Sequence, residues 1–129
     1  MTFPLASIAI AFVIVLLTKA PVARAMKELG KYDSAEPRKQ QAQLTGWGGR
    51  ALAAHMNSIE AFPPFAAAVL VVHVTHADIS LATGLCAAFL LARLAYPIIY
   101  IAGTGTLRSL VWGVGWAATL ALFLLPLLN

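Results

Sequence analysis

Apolar side chains dominate four stretches of this chain, at about residues 2–19, 47–76, 79–102 and 108–128. A helix needs roughly 20 mostly apolar residues to cross a bilayer. The pattern therefore predicts an all-α integral membrane four-helix bundle, built as one domain over residues 1–129. The first stretch has no basic region ahead of its apolar run and no obvious small-residue cleavage site, so it reads as a retained helix rather than a signal peptide. The second opens on a polar third, with Arg50, His55, Asn57 and Glu60, and turns apolar from Ala61 to Val72. The third is broken by one charge, Arg93, and the fourth carries none from Ser109 onward.

The connections follow from the same pattern. Residues 19–46 form the one long polar segment, where Gly30, Asp33, Ser34 and Pro37 mark turns. The 76–79 turn is short, which makes the second and third spans an antiparallel hairpin. Gly103-Thr104-Gly105-Thr106 reads as a flexible turn. Small residues recur at every fourth position, as Gly84, Ala88 and Ala92 and again as Gly113, Ala117 and Ala121, a spacing that lets helices approach closely in lipid. Trp47, Trp112 and Trp116 read as interfacial anchors, with packing inside the bundle an equal alternative for the last two.

Composition agrees and charge adds an orientation. The chain is 60% hydrophobic and 11% charged, with a mean hydropathy of +0.82. A soluble domain carries about 25% charged residues, so this chain has too few charges to coat a water-facing surface. Its net charge of +4 would suit nucleic acid in a soluble protein. Here, however, seven of the nine Lys and Arg lie between Lys19 and Arg50, and the other two are Arg93 and Arg108. The positive-inside rule then puts loops 20–46 and 103–108 in the cytoplasm and both termini on the opposite side. Membrane lipids are the expected surroundings, with anionic lipid or ligand drawn to the basic face, and no nucleic-acid partner is expected. The lone Cys86 reads as a small apolar-site residue. His55 lies at the other end of its span from His73 and His76, so no metal site is expected. There is no nucleotide-binding glycine motif and no nucleophile elbow.

Ionisable groups at membrane depth face a partner or a wet cavity. Arg50, Asn57 and Glu60 are seven and three residues apart and share a helix face, as do Arg93, Tyr96 and Tyr100. A hairpin brings both sets to the same depth, where Arg108 and Ser109 enter the fourth span. Arginine clamps carboxylates, and Glu60 can hold an ammonium group or pair with Arg93. The simplest account of that last pair is mutual neutralisation. The whole cluster instead suits a small anionic or zwitterionic ligand.

Two segments resemble the MAPEG superfamily of membrane-associated proteins in eicosanoid and glutathione metabolism. One is the run from Arg50 through Asn57 and Glu60 to Pro63-Pro64-Phe65; the other is Arg93-Leu-Ala-Tyr96-Pro-Ile-Ile-Tyr100 with Leu107-Arg108-Ser109. The resemblance, to a bacterial-type member similar to microsomal glutathione transferases, implies a homotrimer with a cytoplasm-facing site between subunits. It implies glutathione as co-substrate and a glutathione-dependent transferase or peroxidase acting on lipophilic electrophiles. Arg108 would be the catalytic residue that holds the thiolate, and Arg50, Asn57, Glu60, Arg93, Tyr96, Tyr100 and Ser109 would bind glutathione. Arg24 is a looser match to a first-helix arginine at the site. One departure stands out: glutathione-binding members commonly carry another arginine four residues before the asparagine, and here that position is Ala53. The alternative is a non-catalytic membrane protein that binds a lipid or another anionic metabolite. A transporter is more distant, because no internal repeat is visible.

Overall fold

The computed structural model describes residues 1–128, and among them there is helix but no strand. The elements are α1 (Phe3–Leu17), α2 (Lys19–Glu28), α3 (Pro37–Gln41), α4 (Gly46–Thr75), α5 (Ile79–Ala102) and α6 (Gly105–Leu124), closed by a 3₁₀ turn at Leu125–Leu128. Four helical units are long and apolar enough to cross a membrane: Phe3–Glu28, Gly46–Thr75, Ile79–Ala102 and Gly105–Leu128. Their outer faces carry exposed Leu16, Leu70, Leu91, Ile98 and Leu120, which water would penalise and lipid accepts. The chain is an integral multi-pass membrane protein.

The first unit runs further than the apolar pattern alone marks. Residues 19–28 are helical, not loop, because Val22, Ala25 and Met26 recur on one face and are buried while Arg24 and Lys27 point out. That face seats against the start of α4, where Val22, Met26 and Ala51 form a small second core. Gly48 permits the approach: a Cβ there would lie 2.9 Å from the Ala25 Cβ. The rest of the polar segment is ordered by one buried side chain. Gln40 donates to the carbonyls of Met26 (3.2 Å) and Lys31 (2.9 Å) and accepts from the Asp33 amide (2.9 Å).

The turn between α4 and α5 spans three residues. His76 closes α4 in the left-handed region at φ 53°. Asp78 then caps α5 by accepting from the Ser80 and Leu81 amides, both at 2.8 Å, which satisfies two otherwise unpaired donors. The main core lies between α1, α4, α5 and α6 around Phe65, Val69, Cys86, Phe89 and Leu122. Phe65 and Phe89 stack at 3.7 Å. Within this chain the small-residue spacing does not mark the face of α6 that packs inward. Gly84 and Gly113 have open space where a Cβ would sit, whereas Gly115 faces Arg93 and Phe89 and Ala118 is buried. In so alanine-rich a chain, four-residue spacings fall on several faces at once, and only packing selects among them.

Candidate functional site

The sequence candidates separate into two groups on the two sides of Tyr96. The outer group lies at the end of the bundle that carries the 29–45 segment and the 103–104 turn. Gly103 ends α5 in the left-handed region at φ 84°, a conformation glycine adopts without steric cost. The Arg50 guanidinium passes over it, its Cζ 3.7 Å from where a Cβ would be. Arg50 Nε donates to the Ile101 carbonyl at 2.9 Å, so an orphan carbonyl at the end of α5 fixes the side chain. Opposite, in the first turn of α6, Arg108 lies over the Tyr100 ring at 5.0 Å. Its Nη1 donates to the Tyr96 hydroxyl (3.3 Å) and its Nη2 to Ser109 Oγ (3.1 Å). Arg50, Tyr100, Gly103, Thr104, Gly105 and Arg108 line a recess of about 90 Å³. It holds two guanidinium groups and no carboxylate, so its chemistry is that of an anion receptor.

The inner group is sealed. Arg93 is 3% exposed. Its Nη2 donates to Asn57 Oδ1 at 3.0 Å and to Ser58 Oγ at 3.2 Å. Its Cζ lies 4.4 Å from the centroid of the Tyr96 ring. Tyr96 is itself buried and meets Tyr100 edge to face at 5.6 Å. Arg93 thus lies behind the recess and is not part of its lining.

Glu60 joins neither group. The expected pairing with Arg93 is absent: Arg93 turns to Asn57 and Ser58 instead, and Glu60 is exposed on the outer face of α4. Helical geometry explains it. Ser58 lies on the stripe with Ala54, Ala61 and Phe65 that faces the core, and Glu60, two residues on, is about 200° further round the helix. Arg24 is also exposed, pairing with Glu28 at 3.4 Å and lying 5.8 Å from the Trp47 ring. His55 Nδ1 sits 2.8 Å from Thr18 Oγ1 at the α1–α2 junction. His73 and His76 lie at the far end of the bundle. Trp112 is exposed, and Trp116 is half-buried with its Nε1 unpartnered.

Three participants escape a reading by motif: Ser58, Gly103 and Gly115. Ser58 carries a signal, as a polar residue on an otherwise apolar core stripe. The two glycines carry one only once it is known what approaches them.

No curated protein and no solved structure matches the chain. The model of the MAPEG family matches residues 3–128. The four spans and the Arg, Asn and Tyr residues gathered on α4, α5 and α6 thus fall within a family match covering nearly the whole chain, and this protein belongs to the MAPEG family.

Proposed function

We propose that this protein is a glutathione-dependent transferase or peroxidase acting on lipophilic electrophiles. The observation that carries the reading is the convergence of Arg50 and Arg108 on one recess with no acid in its lining. Glutathione brings two carboxylates and a thiol. Arg50 suits a carboxylate, and Arg108 suits the sulfur. A guanidinium beside the free amides of the α6 N-terminus favours thiolate over thiol at neutral pH. The proton leaves toward water at the open end of the recess. The electrophile arrives from the bilayer, and the sulfur attacks it directly. A leaving group departs as its anion, or in an addition the displaced π pair takes a proton from water. A hydroperoxide is instead cleaved to the alcohol and glutathione sulfenic acid, which a second glutathione reduces to the disulfide and water. No side chain of the protein forms a covalent bond.

One chain supplies only part of the site. Ligand pockets usually enclose about 300–1,000 Å³, and this recess measures about 90 Å³. Glu60 lies on an outward face of α4 that would complete it from, or toward, a second copy, which supports the homotrimer. Ser109 would act by holding Arg108. The positive-inside rule places the recess in the cytoplasm, where glutathione is abundant. Ala53 removes one arginine from the expected set and leaves Arg50, seven residues before Asn57, as the arginine of α4.

The test is stopped-flow ultraviolet absorbance of purified protein mixed with glutathione, followed by conjugation of an apolar electrophile. A thiolate signal that vanishes in Arg108→Ala is expected. Absence of any signal, or an unchanged Arg108→Ala, overturns the proposal.

A second reading, non-catalytic lipid binding, draws on a different observation. An apolar cleft of about 600 Å³ opens between α5 and α6 at the far end, walled by Gly84, Leu85, Ala121, Leu124, Leu125 and Leu128. A co-purified lipid found by mass spectrometry, with no glutathione affinity by calorimetry, would favour it. Displacement of that lipid by glutathione would count against it.

A further inference from the structure

We propose that Arg93 is a positioning residue for Arg108, acting through Tyr96 and never touching the ligand. The inference rests on the reading of Arg108 as the thiolate's partner. It concerns a different residue, one whose burial keeps it out of the recess.

A cation at membrane depth is costly to keep, so what Arg93 touches accounts for its presence. Every acid in the chain is engaged or placed elsewhere. Glu28 pairs with Arg24 and Glu36 with Lys39. Asp33 and Asp78 accept backbone amides, and Glu60 faces outward. Arg93 is therefore not held by an ion pair among the described residues. Asn57 and Ser58 hold its guanidinium from α4. Gly115 gives it room on α6, where a Cβ would stand 3.6 Å from Arg93 Cδ. So fixed, the cation lies over the face of Tyr96 at 4.4 Å. The attraction between a cation and a ring is largest in such desolvated places.

Tyr96 passes that constraint outward along two routes. Its hydroxyl accepts from Arg108 Nη1 at 3.3 Å. Its ring also sets Tyr100 edge to face at 5.6 Å, and Tyr100 lies under the same guanidinium. The other contact of Arg108, Ser109 Oγ, comes from an exposed neighbour on its own helix. Tyr96 is thus the buried anchor of Arg108, and Arg93 is what pins Tyr96. Losing Arg93 loosens the aim of Arg108 and removes no residue from the recess lining.

The experiment measures two quantities on detergent-purified full-length protein: glutathione affinity by calorimetry, and the pKa of the bound thiol from thiolate absorbance against pH. The variants are Arg93→Met, Arg93→Lys, Tyr96→Phe and the Arg93→Met/Tyr96→Phe pair. Arg93→Met is expected to raise the bound thiol pKa by about one unit, a tenfold loss of thiolate, with affinity changed less than about threefold. Tyr96→Phe keeps the ring and loses the hydroxyl, and should do the same. Arg93→Lys keeps a cation over the ring and should restore most of the shift. The pair should be no worse than the worse single variant, because both cut one chain of contacts. Multiplicative effects in the pair, an unchanged thiol pKa in Arg93→Met, or a loss of affinity with unchanged thiol pKa overturns the proposal. If Arg93→Met does not fold, Arg93→Lys and Tyr96→Phe decide alone: an impaired Arg93→Lys beside a wild-type-like Tyr96→Phe overturns it. A wild-type protein with no thiolate signal overturns the parent reading and takes this one with it. A wild-type signal that Arg93→Met leaves untouched overturns this one only.

Discussion

Two arginine–tyrosine groups lie back to back in this protein, and they treat the same side chains in opposite ways. In the recess, Arg108 lies over Tyr100 and Arg50 crosses Gly103, both half-exposed, with donor capacity left for a ligand. Behind it, Arg93 lies over Tyr96 with 3% exposure, bound to Asn57 and Ser58. Arg93 and Tyr96 lie one turn apart on α5, as do Tyr96 and Tyr100. Residue type does not distinguish the groups; position along the helix does. Arg93 is ten residues before Gly103, about 15 Å deeper along the axis. On the proposed reading the outer group receives charge, the inner one holds geometry, and Tyr96 joins them.

The largest effect should come from the outer group. Removing a donor aimed at developing charge costs about a hundred- to thousandfold in rate, and Arg108→Ala is expected to lose that much conjugation at nearly unchanged thermal stability. Arg50→Gln should come next. A hydrogen bond to a charged group contributes about 1.5–3 kcal/mol, so glutathione affinity should fall roughly ten- to hundredfold while kcat changes little. Calorimetry and initial rates separate the two. Equal losses of kcat in both variants would erase the division of labour between carboxylate and sulfur.

Smaller effects distinguish the groups by stability. Gly103→Ala places a Cβ in the left-handed region at φ 84°, which costs about 1–2 kcal/mol; it should loosen the recess rim and lower the thermal midpoint. Ser58→Ala removes one acceptor from Arg93. Interhelical hydrogen bonds in membrane proteins average only about 0.6 kcal/mol, so a drop of that order is expected, with glutathione affinity retained. A large affinity loss in Ser58→Ala would mean that the inner group reaches the ligand after all.

How far the chain could be read from its residues follows the same division. The four spans were legible because an apolar run of bilayer length has few other homes. The 76–79 hairpin was legible because its turn is short. Arg50, Tyr100 and Arg108 were legible as neighbours because helical spacing and hairpin depth are simple geometry. The helix at 19–28 was missed as a span extension because its polar residues outweigh Val22, Ala25 and Met26 in any average. The Glu60–Arg93 pairing rests on a coarse assignment of helix faces and on matching depth. Depth says nothing of angle, and at the angle of Glu60 the side chain leaves the bundle. Gly115 is hidden behind Gly113, which fits the four-residue spacing better but has open space where a Cβ would sit.

Glu60 gives the last and, for the single chain, the smallest effect. It is exposed on α4 beside exposed Met56 and Ile59 and makes no ion pair among the described residues. Substitutions of exposed, unpartnered residues usually change stability by no more than about 0.5 kcal/mol, so Glu60→Gln should leave the helix content and thermal midpoint of the single chain where they are. A carboxylate facing lipid is nonetheless expensive, which argues that something covers it. If a ligand ammonium or a neighbouring subunit does so, Glu60→Gln should weaken glutathione binding or subunit association severalfold, read by calorimetry and by sedimentation in detergent. A variant that loses neither would leave Glu60 facing lipid. The α4 face would then belong to neither arginine group, and the case for completing the recess from a second copy would fail.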